Sequence, residues 1–157
     1  MIRRTTMKWL ALLGLGSHAL PASAAAPQKL VLPDAEWKKR LTREQYDVLR
    51  GHGTEWARSS SLNNEHRRGM YHCAGCDLPL FSSEAKFESG TGWPSFHTPL
   101  PDALGFSTDF KMIVPRKEYH CARCEGHHGH VFGDGPAPTG KRYCNNGVAL
   151  RFVPASG

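Results

Sequence analysis

Five cysteines carry most of the chemistry that this sequence can offer, and their spacing divides them. Cys73 and Cys76 lie in YHCAGCD, Cys121 and Cys124 in YHCARCE, and Cys144 stands alone in KRYCNNG. A CxxC turn presents two thiolates on one side of a tight bend. Two such turns complete the tetrahedral sulfur shell of a structural Zn²⁺ and leave no open position for catalysis. The matched lead-ins, Tyr71-His72 and Tyr119-His120, imply two similar strand ends delivering the halves of the site. The same spacing admits two disulfides. It also admits a shell that borrows His127 or His130 from CARCEGHHGH.

Cys144 needs a separate account. In an extended segment residues two apart share a face, so Arg142, Cys144 and Asn146 project together, continued by Val148, Leu150 and Phe152 unless Gly147 introduces a bulge that breaks the alternation. The apolar three are expected in the core, and the cation, thiol and amide at its rim. A guanidinium beside a thiol favours the nucleophilic thiolate. Upstream, His127, His130 and Asp134 precede a Gly-Pro turn that returns the chain to Cys144. Imidazoles in that position can donate a proton to a leaving oxygen, and a carboxylate can fix their tautomer. The glycine-hinged ESGTGWPSF carries Trp93 and Phe96, rings suited to walling a pocket for a thioether or methyl group.

The elements that must position these residues are short. Asp34 to Gly51 reads as a helical arm, with Trp37, Leu41, Tyr46 and Leu49 at helical spacing and Thr42 as a cap. Glu55 to Gly69 is polar and turn-rich, with one short helical piece. From Met70 onward, strand-length runs (MYHC, DFKMIVP, EYHC, HVF, VALRFV) alternate with Gly and Pro turns. The expected fold is mainly β, built of antiparallel sheets, with a short helical N-terminal arm.

Residues 1–24 have a basic start, an apolar stretch and the small-residue pattern Ala22-Ser23-Ala24, the order of a cleaved export signal. Residues 25–33 read as a linker and 34–154 as one domain. Export into a bacterial periplasm is expected, and Arg3-Arg4 leaves the general and twin-arginine routes both open. The formal charge of +6 is partly the signal's own. Without residues 1–24, 17 basic side chains face 14 acidic ones. That mild excess gives no reason to expect a nucleic-acid partner.

Taken in order, Cys73–Cys76, Ser89–Phe96, Cys121–Cys124 and His127–Asn146 resemble the methionine-R-sulfoxide reductases, a likeness running from about Asp34 to Pro154. The resemblance implies a fold of two antiparallel sheets and one structural Zn²⁺ on Cys73, Cys76, Cys121 and Cys124. It implies Cys144 as the nucleophile and Arg142 as its stabiliser. His127, His130 and Asn146 would bind the sulfoxide oxygen, Asp134 would support them, and Trp93 with Phe96 would receive the methyl end. The sequence departs from the family's common pattern at Thr91, where many relatives carry a second reactive cysteine, at His128, where leucine is frequent, and at Gly147. With no thiol at position 91, the sulfenic acid left on Cys144 would be regenerated by an external thiol such as a thioredoxin-like protein. The expected partners are oxidised proteins or peptides, met by a monomer. A zinc-ribbon binding module without catalysis is the alternative, and it leaves Cys144 and the histidines without a task.

Overall fold

Thr42, expected as a cap, opens the second of two helices in the N-terminal arm. In the computed structural model of the protein, which describes residues 26–111 and 113–156, the arm is two helices, α1 (Asp34–Arg40) and α2 (Arg43–Leu49). Leu41 is extended, and Thr42 starts α2 with a reciprocal capping box. Its hydroxyl accepts from the Gln45 N–H while the Gln45 side chain accepts from the Thr42 N–H. The break lets Trp37, Leu41, Val48 and Leu49 all enter the core. Among the described residues no helix is long and apolar enough to cross a membrane. The expected signal segment, residues 1–24, lies outside the described residues.

Among the described residues nine strands follow: β1 (Gly69–Cys73), β2 (Pro79–Ser82), β3 (Lys86–Phe87), β4 (Ser95–Phe96), β5 (Leu104–Asp109), β6 (Arg116–Cys121), β7 (His127–Phe132), β8 (Arg142–Asn145) and β9 (Leu150–Pro154). They form two antiparallel sheets, one ordered β2-β1-β9 and one ordered β3-β4-β8-β7-β6-β5. The expected class is therefore observed. Of the run DFKMIVP, only Asp109 lies in a strand among the described residues. Beyond Asp109 the chain leaves β5 and turns back through a loop on which Phe110, Ile113 and Val114 are exposed. Their β-propensity has no cross-strand partner to act on.

The sheets meet through aromatic rings. Tyr71 and Phe81 from the smaller sheet face Phe96, Tyr119 and Tyr143 from the larger. Phe81 stacks on Phe96 with centroids 4.2 Å apart, and Tyr71 meets Phe96 edge-on at 4.9 Å. Such pairs add about 0.5–1.5 kcal/mol each beyond simple burial. Phe96 is thus a fully buried core residue, not a pocket wall.

The segment after Cys144 does not keep one continuous face. β8 belongs to the large sheet, a 3₁₀ turn at Gly147–Ala149 intervenes, and β9 joins the small sheet beside β1. Leu150 still reaches the core, with Phe152 packed against it, but on a different layer from Cys144.

Candidate active site and metal centre

β1 and β6 end at Cys73 and Cys121, and each is followed by the same turn. Asp77 N–H bonds Cys73 O and Glu125 N–H bonds Cys121 O, both at 2.9 Å, and Asp77 and Glu125 take left-handed φ values of 62° and 59°. The repeated motif brings four sulfurs within 4.8 Å of one another. Cys73 and Cys124 sulfurs are 3.6 Å apart, and Cys76 and Cys121 sulfurs 3.4 Å. Disulfides would need about 2.05 Å. A tetrahedral ion with metal–sulfur bonds near 2.3 Å places its ligands about 3.8 Å apart. The four cysteines are positioned to hold one metal ion, and four thiolates this close could not all ionise without one. The imidazoles of His127 and His130 are engaged elsewhere and are not part of this shell.

Cys144 lies on the other face of chemistry. On β8 it pairs with Ser95 of β4 and His130 of β7, and His130 pairs with Glu118 of β6. Directly opposed residues in antiparallel strands share a face, so Ser95, Cys144, His130 and Glu118 form one row. The intervening residues Phe96, Tyr143 and Val131 form the row behind it, toward the core. Gly129 permits the close pairing, since a β-carbon there would fall 1.9 Å from the Cys144 carbonyl oxygen.

His127 and His130 are three apart, which in a regular strand would send them to opposite faces. A register shift between Tyr119 and His120 corrects this, pairing His127 with His120 and placing it on the Glu118 side. The two rings then lie 5.5 Å apart. His130 donates from Nε2 to Asp109 Oδ2 at 2.8 Å, and Arg116 donates to the same oxygen at 2.8 Å. The Lys111 N–H, His130 and Arg116 together hold the Asp109 carboxyl far below the ordinary range. His127 donates from Nδ1 to Glu118 at 2.6 Å, yet burial dominates and keeps its ring neutral below the usual histidine range.

A cleft of about 120 Å³ opens over Cys144, lined by Thr54, Trp93, Arg116, His130, Phe132 and Asn146 among others. Trp93 is fixed by its indole N–H on Glu55 O at 3.2 Å. Glu55 in turn receives the N–H groups of Gly147 and Val148 on its carboxylate, at 2.6 and 2.9 Å. A larger open groove of about 820 Å³ runs alongside, bounded by α2 and the 54–62 segment, and shares Thr54 with the cleft.

Burial pushes the Cys144 thiol above its ordinary pKa. The charge of Arg142 and the nearby polar groups of Thr91 and Arg142 pull it back without overcoming burial. The sequence argument had the direction of Arg142's effect but not the depth of the sulfur. Part of the arginine's field is also spent on Asp134, which takes Nε and an Nη at 2.9 Å each. Asp134 therefore serves Arg142, and the carboxylate behind His130 is Asp109. Asn146 lines the cleft, with its amide tied to Glu55 N–H and His128 O.

Of the residues expected at the site, Cys144, His130, Trp93 and Asn146 line the cleft. Arg142 lies near enough for its charge to act on the thiol, and His127 stands one ring behind His130. Phe96 and Asp134 do not take the expected places, and Phe132 joins Trp93 in lining the cleft. Asp109, Arg116, Glu118 and Glu55 went unread. The one signal for them was alternation in RKEYHC, which puts Arg116, Glu118 and His120 on one face.

Comparison with known proteins agrees with this geometry. A SelR domain model matches residues 41–154. The chain is 51% identical over 122 residues to "Peptide methionine sulfoxide reductase B1, chloroplastic" of Oryza sativa subsp. japonica, covering 77% of this chain but only 57% of that protein. It is 50% identical over 131 residues to "Peptide methionine sulfoxide reductase MsrB" of Pseudomonas putida (strain W619), covering 83% of this chain and 98% of that one. The protein of the same name from Methanosarcina barkeri (strain Fusaro / DSM 804) is 53% identical over 120 residues, covering 76% of this chain and 84% of the relative. With its ordered cysteines, its cleft thiol and a matching domain over most of its length, this chain belongs to the SelR family, that of the MsrB-type peptide methionine sulfoxide reductases.

Proposed function

We propose that this protein reduces the R epimer of methionine sulfoxide, free or within proteins, to methionine, with Cys144 as the attacking group. The observation that carries this reading is the isolation of Cys144. It is the one cysteine outside the four-sulfur cluster, and it sits in a cleft just large enough for the tip of one side chain. The cluster holds zinc, which has no open position and braces the fold.

In the reaction the Cys144 thiolate attacks the sulfoxide sulfur while the substrate's methyl end rests against Trp93 and Phe132. His130, whose Nε2–H is held by Asp109, takes the Cys144 thiol proton on its remaining nitrogen and passes it to the sulfoxide oxygen. His127 supports that histidine, and Asn146 holds the other side of the cleft. Oxygen passes to Cys144, the carbon–sulfur framework of methionine leaves intact, and the enzyme sulfur becomes a sulfenic acid. Thr91 provides a hydroxyl where a second thiol would be needed for an internal disulfide. An external thiol therefore attacks the sulfenic acid, releasing water. A second thiol then reduces the mixed disulfide. A thioredoxin-like protein is the expected donor, oxidised proteins the expected substrates and a monomer the working unit. Residues 1–24 direct the chain to a bacterial periplasm.

The test is the Cys144→Ser variant assayed with separated epimers and dithiothreitol. Turnover of the R epimer should fall at least a thousandfold, with metal content and circular dichroism unchanged. Treating the native protein with stoichiometric sulfoxide and no reductant should give a sulfenic acid trappable at Cys144. Turnover surviving in the variant, or a bridge from Cys144 to one of the four clustered cysteines, contradicts the reading. Detection of the intact precursor in the periplasm would refute cleavage of the signal.

A further inference from the structure

His52, Glu118 and His127 come from three separate parts of the chain: the turn after α2, the middle of β6 and the start of β7. Both imidazoles direct Nδ1 at one carboxylate oxygen, Glu118 Oε1, at 2.8 Å for His52 and 2.6 Å for His127. Their rings lie 5.2 Å apart, tilted by 33°. One ligand atom from each residue falls within 4.8 Å of the other two. His52 adopts a left-handed φ of 54° to reach this position.

The carboxylate could orient His127 with a single hydrogen bond, so the second imidazole on the same oxygen calls for a reason. We propose that these three side chains form a second metal site, distinct from the four-cysteine centre. It takes one exchangeable divalent ion of the zinc class through two Nδ1 atoms and a Glu118 oxygen. Two imidazoles and a carboxylate are a borderline-hard donor set that suits Zn²⁺ or Co²⁺ and leaves the fourth position to water.

The geometry needs little adjustment. Metal–nitrogen and metal–oxygen bonds near 2.0–2.2 Å in a tetrahedron separate the ligand atoms by about 3.3 Å. The His52 nitrogen must therefore draw back from the carboxylate by roughly half an ångström and the His127 nitrogen by roughly 0.7 Å. His52 gives its share because its side chain is 48% exposed on a turn, and Glu118 gives the rest by rotating its carboxylate away from His127 while both backbones stay within the sheet. The same exposure supplies the entry path.

Binding also moves protons in a defined way. Each ring surrenders the Nδ1 hydrogen that Glu118 now receives and carries its proton on Nε2 instead, with no net change in charge on the ring. For His127, Nε2 is buried without a hydrogen-bond partner, and an occupied site turns that atom into a donor.

The proposed site differs from the cysteine centre in being open and free of sulfur, and both properties can be measured. Protein whose cysteine centre is filled with zinc is equilibrated with Co²⁺. We expect one additional cobalt per chain, with ligand-field absorption and no sulfur-to-cobalt charge-transfer band. Chelator should remove this ion first, leaving the cysteine-bound zinc and the circular dichroism in place. His52→Ala should weaken the added cobalt at least tenfold while retaining the cysteine-bound ion, and Glu118→Gln should do the same. No second equivalent, a second equivalent indifferent to His52→Ala, or one bearing a sulfur charge-transfer band would overturn the site. None of these readouts depends on turnover, so they stand or fall apart from the proposed reaction.

Discussion

His130 has one nitrogen to spend on a substrate, because Asp109 occupies the other. A histidine held this way keeps one tautomer and one ring orientation. Asp109→Asn should preserve the fold and lower kcat by about tenfold to a hundredfold with little change in KM, since the variant amide can still contact the ring but no longer fixes one tautomer. An unchanged kcat would show that the carboxylate only anchors the 110–115 loop. The candidate nucleophile was legible in the sequence because it was the odd cysteine out. Asp109 was not. It precedes Cys144 by a long stretch of chain and resembles any surface acid in STDFK until β5 folds onto β6. Asp134 was misassigned for the opposite reason: proximity in sequence to the histidines suggested a contact that the β7–β8 hairpin gives to Arg142.

Between β7 and β8, an imidazole takes a place suited to an apolar side chain. His128 is fully buried, its Nδ1 meets Asn145 Oδ1 at 3.4 Å, and its Nε2 has no partner. Burial brings its pKa down to about 4. An unfolded histidine titrates near 6.5, so between these values the unfolded chain binds the extra proton. Stability is therefore fully present above about pH 6.5 and declines as pH falls toward 4, by something on the order of 3 kcal/mol. His128→Leu should remove that loss. The difference in denaturant midpoint between the two proteins should grow between pH 7 and pH 4.5, and a constant difference would contradict the burial argument. Such elements were readable to different depths. The two cysteine turns announced themselves by identical lead-ins, whereas the bulge that brings His127 alongside His130 left no mark in composition. The cap at Thr42 was legible and stands, whereas the separate short helix that ends before Leu41 was not distinguished from it.

The first cysteine pair ends a strand of the small sheet and the second ends a strand of the large sheet. An ion on all four therefore rivets the layers together, beside the aromatic core that Tyr71, Phe81, Phe96, Tyr119 and Tyr143 form between them. Stripping the metal under reducing conditions should cost at least ~5 kcal/mol of a domain stability of ~5–15 kcal/mol. The near-ultraviolet dichroism of those rings should collapse with it. Retention of that signal in metal-free protein would show that the layers hold without the ion. The two-sheet class could be read from strand-length runs and glycine punctuation. The division of strands between sheets could not, because the crossing from β8 to β9 is made by a single 3₁₀ turn that alternation alone disguises as one strand.

Glu55 links the ring of Trp93 to the backbone that follows Cys144, through its carbonyl on one side and its carboxylate on the other. The two jaws of the cleft are thereby geared to one strut and cannot widen independently. A mouth of fixed gauge does not mould itself to its cargo. On the proposed reaction, discrimination then falls on an incoming polypeptide, which must pay out enough slack to present an oxidised residue end-on. Tightly folded targets should be mended slowly and loosened ones quickly.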